Sequence, residues 1–326
     1  MGKATAIAHP NIAFIKYWGK TDETLNLPAN PSLSMNLAAL ATAVTVEFVP
    51  GLPVDEVIIG DETAVGQARA RVVAHLDRVR LLAGIQDRAR VTSRNDFPEG
   101  TGLASSASAF AALSLAATRA VGVDLGEAEL SRLARLGSGS ACRSVPAGFS
   151  LWDGDDDETS FARQVAAPEH WDLRDVIAIV SYQHKTVGSH AGHALARTSP
   201  LHQARLAAVP SLLREVRSGL EGRDLTVMGP AVEADALAMH SVMMTSRPSL
   251  LYWLPETVAV LRMVRACREE GLSVYLTMDA GPNVHCLCQP ADAAEVERRL
   301  RNLSGVLDVL VSGPGNGVRL ADIHLS

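Results

Sequence analysis

The chain has 326 residues, more than the roughly 250–300 at which a single core stops growing, so two domains are expected. Hydrophobic residues at 47% and charged residues at 20% exclude a disordered chain. A formal net charge of -6 gives no general attraction for nucleic acid or anionic lipid, so any phosphate binding must be local.

The opening MGKATAIAHP has no basic stretch before an apolar core, so no signal peptide is expected, and Ala6 stands where a myristoylation signal needs Ser or Thr. NIAFIKYWGK (11–20) then groups Asn11, Lys16, Tyr17 and Lys20, and LPANPSLSMNL (27–37) is rich in turn formers and hydroxyls. VTVEFV (44–49) reads as a strand, and 71–84 as a helix stopped by Gly84. In PEGTGLASSASAFAALS (98–114) a helix is expected from near Gly102 to Gly122, with Leu103, Ala107, Phe110, Ala111 and Leu113 inward. Its first turn would offer free backbone N–H groups and the positive end of the helix dipole, and its small side chains would let an anion approach. Ser105, Ser106 and Ser108 add donors and possible ligands for magnesium. The same residues also suit a helix packed closely against a sheet, and both readings stay open. Neither GxxxxGK[ST] nor a GxGxxG after a strand is present, so a different nucleotide fold is needed.

A second helix is expected over 125–137, with Leu130, Leu133 and Leu136 on one side and Gly137 at its end. GSGSACRS (137–144) sets Arg143 beside another small-residue turn. The acidic run at 153–158 reads as a solvated connection rather than a metal site, and VIAIVS (176–181) as a buried strand. Beyond about residue 184 come long amphipathic helices (roughly 199–220, 224–244 and 255–270), with Met239, Met243 and Met244 as core. The strands VYLTM, VHCLC and VLVSG follow, with a helix over 291–302 between the last two. TMDAGPN (277–283) puts Asp279 at a strand end before a tight turn, and SGPGNG (312–317) reads as a turn. The class is α+β, divided into 1–184 and 185–326. Four cysteines (Cys142, Cys267, Cys286, Cys288) form no disulfide or zinc pattern, and no uncharged apolar run reaches about 18 residues, which makes a cytoplasmic protein the expectation. Lysine, arginine and aspartate in such apolar settings must be paired, which argues for one polar pocket.

NIAFIKYWGK, PEGTGLASSASA, GSGSACRS and TMDAGPN, in this order, resemble diphosphomevalonate decarboxylases of the GHMP kinase superfamily. The resemblance implies an N-terminal domain like the second domain of ribosomal protein S5, a ferredoxin-like C-terminal domain and an active site between them. It implies ATP-dependent decarboxylation of mevalonate 5-diphosphate to isopentenyl diphosphate, with ADP, phosphate and CO2, in a magnesium-dependent, homodimeric enzyme of the mevalonate pathway. Carried over by residue, Asp279 resembles the carboxylate that orients or deprotonates the 3-hydroxyl, Arg143 the holder of the substrate carboxylate, and Lys16 the positive group facing Asp279. Asn11, Tyr17, Lys20, Ser140 and Ser189 resemble substrate ligands, the last four at the 5-phosphoryl end. Ser93, Gly102, Ser105, Ser106 and Lys185 resemble the ATP phosphate site. No resident protein metal site is implied.

Two segments depart from the family pattern. Pro31 and Asn36 alter NxSLSxTL, and GSHAGHALARTS (188–199) carries His190 and His193 where some members have arginine near the diphosphate. The histidine pair suits a substrate-facing or packing role better than a metal. Fewer fixed cations would suit mevalonate 5-phosphate at least as well, so a phosphomevalonate decarboxylase making isopentenyl phosphate is the alternative. A small-molecule kinase that stops before decarboxylation, and a nucleotide-binding protein without turnover, are the remaining rivals.

Overall fold

The computed structural model describes residues 2–97, 105–183 and 187–325. Its strands are β1 (Lys3–Ala8), β2 (Asn11–Ile15), β3 (Lys20–Asp22), β4 (Leu27–Pro28), β5 (Ser32–Asn36), β6 (Thr42–Val49), β7 (Glu56–Ile59), β8 (Glu62–Thr63), β9 (Arg88–Asn95), β10 (Phe149–Asp153), β11 (Phe161–Ala166), β12 (Arg174–Ile179), β13 (Val274–Thr277), β14 (Val284–Cys288), β15 (Asp308–Ser312) and β16 (Arg319–Ala321). The helices are α1 (Gly66–Ala83), α2 (Ser105–Ala120), α3 (Glu127–Gly137), α4 (Ser189–Leu195), α5 (His202–Gly222), α6 (Leu225–Thr245), α7 (Pro255–Glu269) and α8 (Pro290–Arg301).

Alternation in β6 turns Val44, Val46 and Phe48 to one face, where Ala107, Ala111 and Phe110 of α2 cover them. The small residues of α2 let its backbone lie close to a six-stranded sheet ordered β16-β1-β6-β9-β7-β8. Ser108 completes that contact by hydrogen bonding Thr42 at 2.6 Å, so close sheet packing is one job of this segment. The expected start at Gly102 lies outside the described residues, and the helix is described from Ser105. Gly84 ends α1 in the left-handed region, at φ 67°, where glycine is free of a Cβ penalty.

A second sheet, β11-β10-β5-β2, stands beside the first, and a third, β13-β14-β12-β15, is antiparallel throughout. Strand β12 is buried on both faces: Val176 and Ala178 meet α7 and α8, whereas Ile177 and Ile179 enter a layer with Val209, Val216, Met228 and Val232 of α5 and α6. Ile12, Phe14 and Met35 of the second sheet reach that same layer, so one core joins the two halves. The pairing partners change at β12, which lies before residue 184, and β16 returns to the edge of the first sheet against β1.

The acidic connection is more anchored than its composition implies: Asp157 pairs with Arg135 and, at 3.1 Å, with Arg132 of α3, and Asp153 pairs with Arg163. SGPGNG packs backbone to backbone against other loops. A Cβ at Gly317 would lie 2.5 Å from the Val145 carbonyl, and the buried Asn36 amide donates to the Pro146 and Asn316 carbonyls. Asn36 therefore secures this connection. Among the described residues no helix is long and apolar enough to cross a membrane, and all four cysteines are free.

Candidate active site

A cleft of about 530 Å³ opens where the second sheet, the segment 139–144, α4 and the loop after β13 meet. Lys16, Tyr17, Lys20, Ser105, Ser106, Ser140, Arg143, Ser189 and Asp279 all line it. These come from five separate stretches of sequence, so their convergence is the work of the fold.

Lys16 follows the end of β2 and is 1% exposed, with its Nζ donating to Asp279 Oδ1 at 2.8 Å. Asp279 follows β13, and its side chain remains 28% exposed to the cleft. Burial works to raise its carboxyl, but the charge and hydrogen bond of Lys16, with the charges of His285 and Arg143, outweigh that and hold it below the ordinary carboxylate value. Burial also pushes the Lys16 amine down, against the pull of Asp279 and Asp235. The result is an ionised carboxylate facing open space, fixed from behind by an ammonium. His240 supports the same loop through the Asp279 carbonyl at 3.1 Å.

Arg143 sits on a short 3₁₀ turn, Gly139–Ser144, and is 3% exposed. Its Nε and Nη2 donate to Asn11 Oδ1 at 3.2 and 3.1 Å, its Nε also to Ser34 at 3.1 Å, and its Nη1 to Ser32 at 2.7 Å. Every one of these acceptors is neutral. Among the described residues Arg143 forms no ion pair, and burial pushes its guanidinium down from the ordinary value. A buried charge without a counter-charge is costly, so this fork is set for an anion that the protein does not itself provide. Each terminal nitrogen keeps one further N–H, which suits a planar carboxylate.

Asn11 is not on the cleft wall: its Oδ1 serves Arg143 and its Nδ2 donates to the Ser140 carbonyl and, at 2.8 Å, to Ser144. It aims the guanidinium. Tyr17 lies against Trp152 and His193, with a hydroxyl that is buried and has no partner among the described residues, and burial pushes the phenol well above its ordinary value. Lys20 pairs with Glu23 at 2.9 Å and lies 3.4 Å from Nδ1 of the exposed His190. His193 is buried between the Tyr17 and Trp18 rings, and its Nδ1 accepts the Gly19 N–H at 3.1 Å, which leaves the ring proton on Nε2. Burial and the nearby Lys20 charge hold both histidines below their ordinary value, so at neutral pH they are uncharged.

A second cavity of about 170 Å³ adjoins the first and shares Arg71, Ser105 and Ser106 with it. Val44, Val57, Val72, Val91 and Leu113 make its wall apolar, and Ser93 and Asn95 add polar groups. Gly102 and Lys185 lie outside the described residues. No cluster of three metal-ligating side chains occurs among the described residues.

Several residues in this arrangement are not singled out by the sequence patterns. Ser32 and Ser34 could have been found, because hydroxyls two apart in a strand share a face. Asp235, which accepts the Lys16 N–H at 2.6 Å, shows only as one of two carboxylates, with Glu233, in a largely apolar helix. Arg71, between the two cavities, looks like any surface arginine of an amphipathic helix.

Fold and cleft together define a two-lobed enzyme in which a carboxylate, Asp279, and an arginine with no ion pair among the described residues, Arg143, line one cleft beside the hydroxyls of Ser105 and Ser106. A family model described as diphosphomevalonate decarboxylase-like N-terminal domain matches residues 8–162, and one described as mevalonate 5-diphosphate decarboxylase C-terminal domain matches residues 175–309. A phosphomevalonate decarboxylase of Haloferax volcanii is 36% identical over 315 residues, covering 96% of each chain. The mevalonate diphosphate decarboxylase from Staphylococcus aureus superposes with a TM-score of 0.94 at 35% identity, covering 98% of each chain. A structure of MDDEF in complex with MVAPP, AMPPCP and magnesium superposes with a TM-score of 0.93 at 36% identity, over 98% of this chain and 99% of that one. The chain belongs to the diphosphomevalonate decarboxylase family.

Proposed function

We propose that the cleft carries out ATP-dependent decarboxylation of mevalonate 5-diphosphate to isopentenyl diphosphate, with release of ADP, phosphate and CO2. The observation that carries this is Arg143, a buried guanidinium with neutral partners only, in the same cleft as the ionised Asp279. Arg143 holds the substrate carboxylate. Asp279 accepts a hydrogen bond from the 3-hydroxyl and takes its proton, and Lys16 keeps Asp279 ionised and in place. Tyr17, Lys20, Ser140 and Ser189 receive the 5-phosphoryl end.

The second cavity fits a nucleotide: an apolar pocket for a flat base opens onto the hydroxyls of Ser105 and Ser106 at the first described turn of α2, with Arg71 between. Ser93, Ser105, Ser106, Gly102 and Lys185 are the residues we assign to hold it. ATP with magnesium would supply the phosphoryl group that turns a tertiary hydroxyl into a leaving group. We take the lobe that precedes residue 185 as the nucleotide half, and a cytoplasmic homodimer as the accompanying expectation.

A second reading has its own support. Among the described residues the 5-phosphoryl end has one lysine, already paired with Glu23, and two uncharged histidines, with Arg71 in electrostatic reach of His190. That sparse positive charge favours mevalonate 5-phosphate, and the Haloferax volcanii relative carries the corresponding name. Parallel assays with the two phosphorylated mevalonates, following ADP and CO2, decide between them. A higher kcat/KM for the diphosphate supports the main reading, a higher value for the monophosphate replaces it, and ADP without CO2 from either would make the protein a kinase.

A further inference from the structure

Residue 16 stands one position past the end of β2, so neither its N–H nor its C=O belongs to a strand ladder. Both are nevertheless satisfied in the interior. The N–H donates to Asp235 Oδ2 at 2.6 Å, and the C=O accepts from Arg205 Nη2 at 2.8 Å and from Asn30 Nδ2 at 2.9 Å. Arg205 and Asp235 pair with each other through Nε to Oδ1 at 3.1 Å and Nη2 to Oδ2 at 3.0 Å, with side chains 1% and 0% exposed. Arg205 also reaches Asn30 Oδ1 at 3.3 Å. One residue lies on α5 and the other on α6, in the half of the chain that follows the nucleotide lobe.

We propose that Arg205 and Asp235 are positioning residues, a buried ion pair that grips the peptide of Lys16 on both sides and so sets the contact between its ammonium and Asp279. A surface pair would be too weak and too mobile for this, whereas a desolvated bidentate pair has a single geometry. The pair also lies across the junction of the two lobes, since Lys16 directly follows a strand of the second sheet while the α5–α6 pair packs on the third. Closing or opening the lobes would therefore move Lys16 only together with α5 and α6. The charge adds to the hold, because Asp235 helps keep the Lys16 ammonium protonated.

The charged and titratable groups that face Asp279 are Lys16, Arg143 and His285, with His240 on its carbonyl, and this makes the test one of sign. Replacing Asp235 by Asn removes a negative charge and leaves Arg205 positive, so a purely electrostatic effect would lower the Asp279 titration midpoint. Loss of positioning would raise it, because Lys16 drifts from the carboxylate and burial is left unopposed. The midpoint is read from the side-chain carboxyl 13C signal, assigned by its absence in Asp279→Asn, in the full chain. A rise in Asp235→Asn supports the proposal; a fall or no change overturns it.

The kinetic arm rests on the decarboxylase reading: kcat should fall at least tenfold while the KM for ATP changes less than twofold. Should Asp235→Asn fail to fold, Arg205→Met combined with Asp235→Leu removes both charges without leaving either one buried alone. The same midpoint rise and kcat loss are expected there, and a double variant with wild-type kcat and midpoint would reduce the pair to packing. Wild-type protein that releases no CO2 from either phosphorylated mevalonate would sink the functional reading, and the 13C arm would still decide this one.

Discussion

At the Asp279 end of the cleft each charged group is locked from behind: Lys16 by Asp279 and the α5–α6 pair, Arg143 by Asn11, Ser32 and Ser34. At the Tyr17 end the groups are loosely held or idle. Among the described residues the Tyr17 hydroxyl has no partner, His190 is exposed, and Lys20 shares itself between Glu23 and His190. On the proposed reading both ends face the same phosphorylated acid, yet one is pre-organised and the other would be completed by its ligand. The contrast divides the labour between them. Bond breaking demands fixed geometry, while the distal phosphoryl group needs only donors, so substrate preference can change at that end without disturbing the chemistry.

The sharpest way to break the contrast is Asp279→Ala. Loss of a positioned base should lower kcat by about 10²–10⁴-fold, with ATP affinity, measured by calorimetry, changed less than twofold. Asp279→Asn keeps the shape and should lose as much, so comparable activity in that variant would refute a proton-accepting role. The pH profile follows from the same groups. Asp279 is held below its ordinary value, so its ionised form persists until the pH falls below about 4. Its pairing contributes stability above that range, lost only as pH falls through the lowered value. Lys16 is pushed down by burial, so the alkaline limb of kcat should lie below about pH 10.

How far the sequence discloses this can be argued residue by residue. Short motifs bring Lys16, Arg143 and Asp279 into view because each sits in a small, turn-rich stretch next to an apolar run. The long helices are legible for another reason: α5 and α7 carry sustained periodicity and α6 a long apolar run, and their boundaries fall within a few residues of the pattern. The many short strands of the first 63 residues are not, since β3, β4 and β8 are too brief to show alternation and β2 and β5 are buried on both faces. The ion pair of Arg205 and Asp235 spans 30 residues, and its target is 189 residues from Arg205. Nothing local marks a side chain whose partner is chosen by tertiary packing.

Arg143→Lys tests the fixed end with a smaller change. A lysine retains the charge but not the fork, and cannot satisfy Asn11, Ser32 and Ser34 together while reaching an anion. Charge-assisted hydrogen bonds contribute about 1.5–3 kcal/mol each, so kcat/KM for the phosphorylated mevalonate should fall by about 10–100-fold while ATP affinity holds. Equal losses in both would mean that the arginine organises the whole cleft and is not a carboxylate clamp.

The smallest effect belongs to the idle end, and Tyr17→Phe isolates it. In the protein alone the hydroxyl is buried with no partner among the described residues, so removing it should leave the melting temperature unchanged or slightly raised. The ring stays wedged between Trp152 and His193, and Gly139, whose Cβ would come within 2.6 Å of the phenol, keeps the same clearance. On the proposed reading the hydroxyl gains a phosphoryl oxygen to donate to when substrate binds, so its loss should raise KM about fivefold, near 1 kcal/mol, with kcat almost untouched. A fall in kcat comparable to that of Arg143→Lys would erase the distinction between the two ends, because it would place the phenol at the reacting centre and not at the distal phosphate.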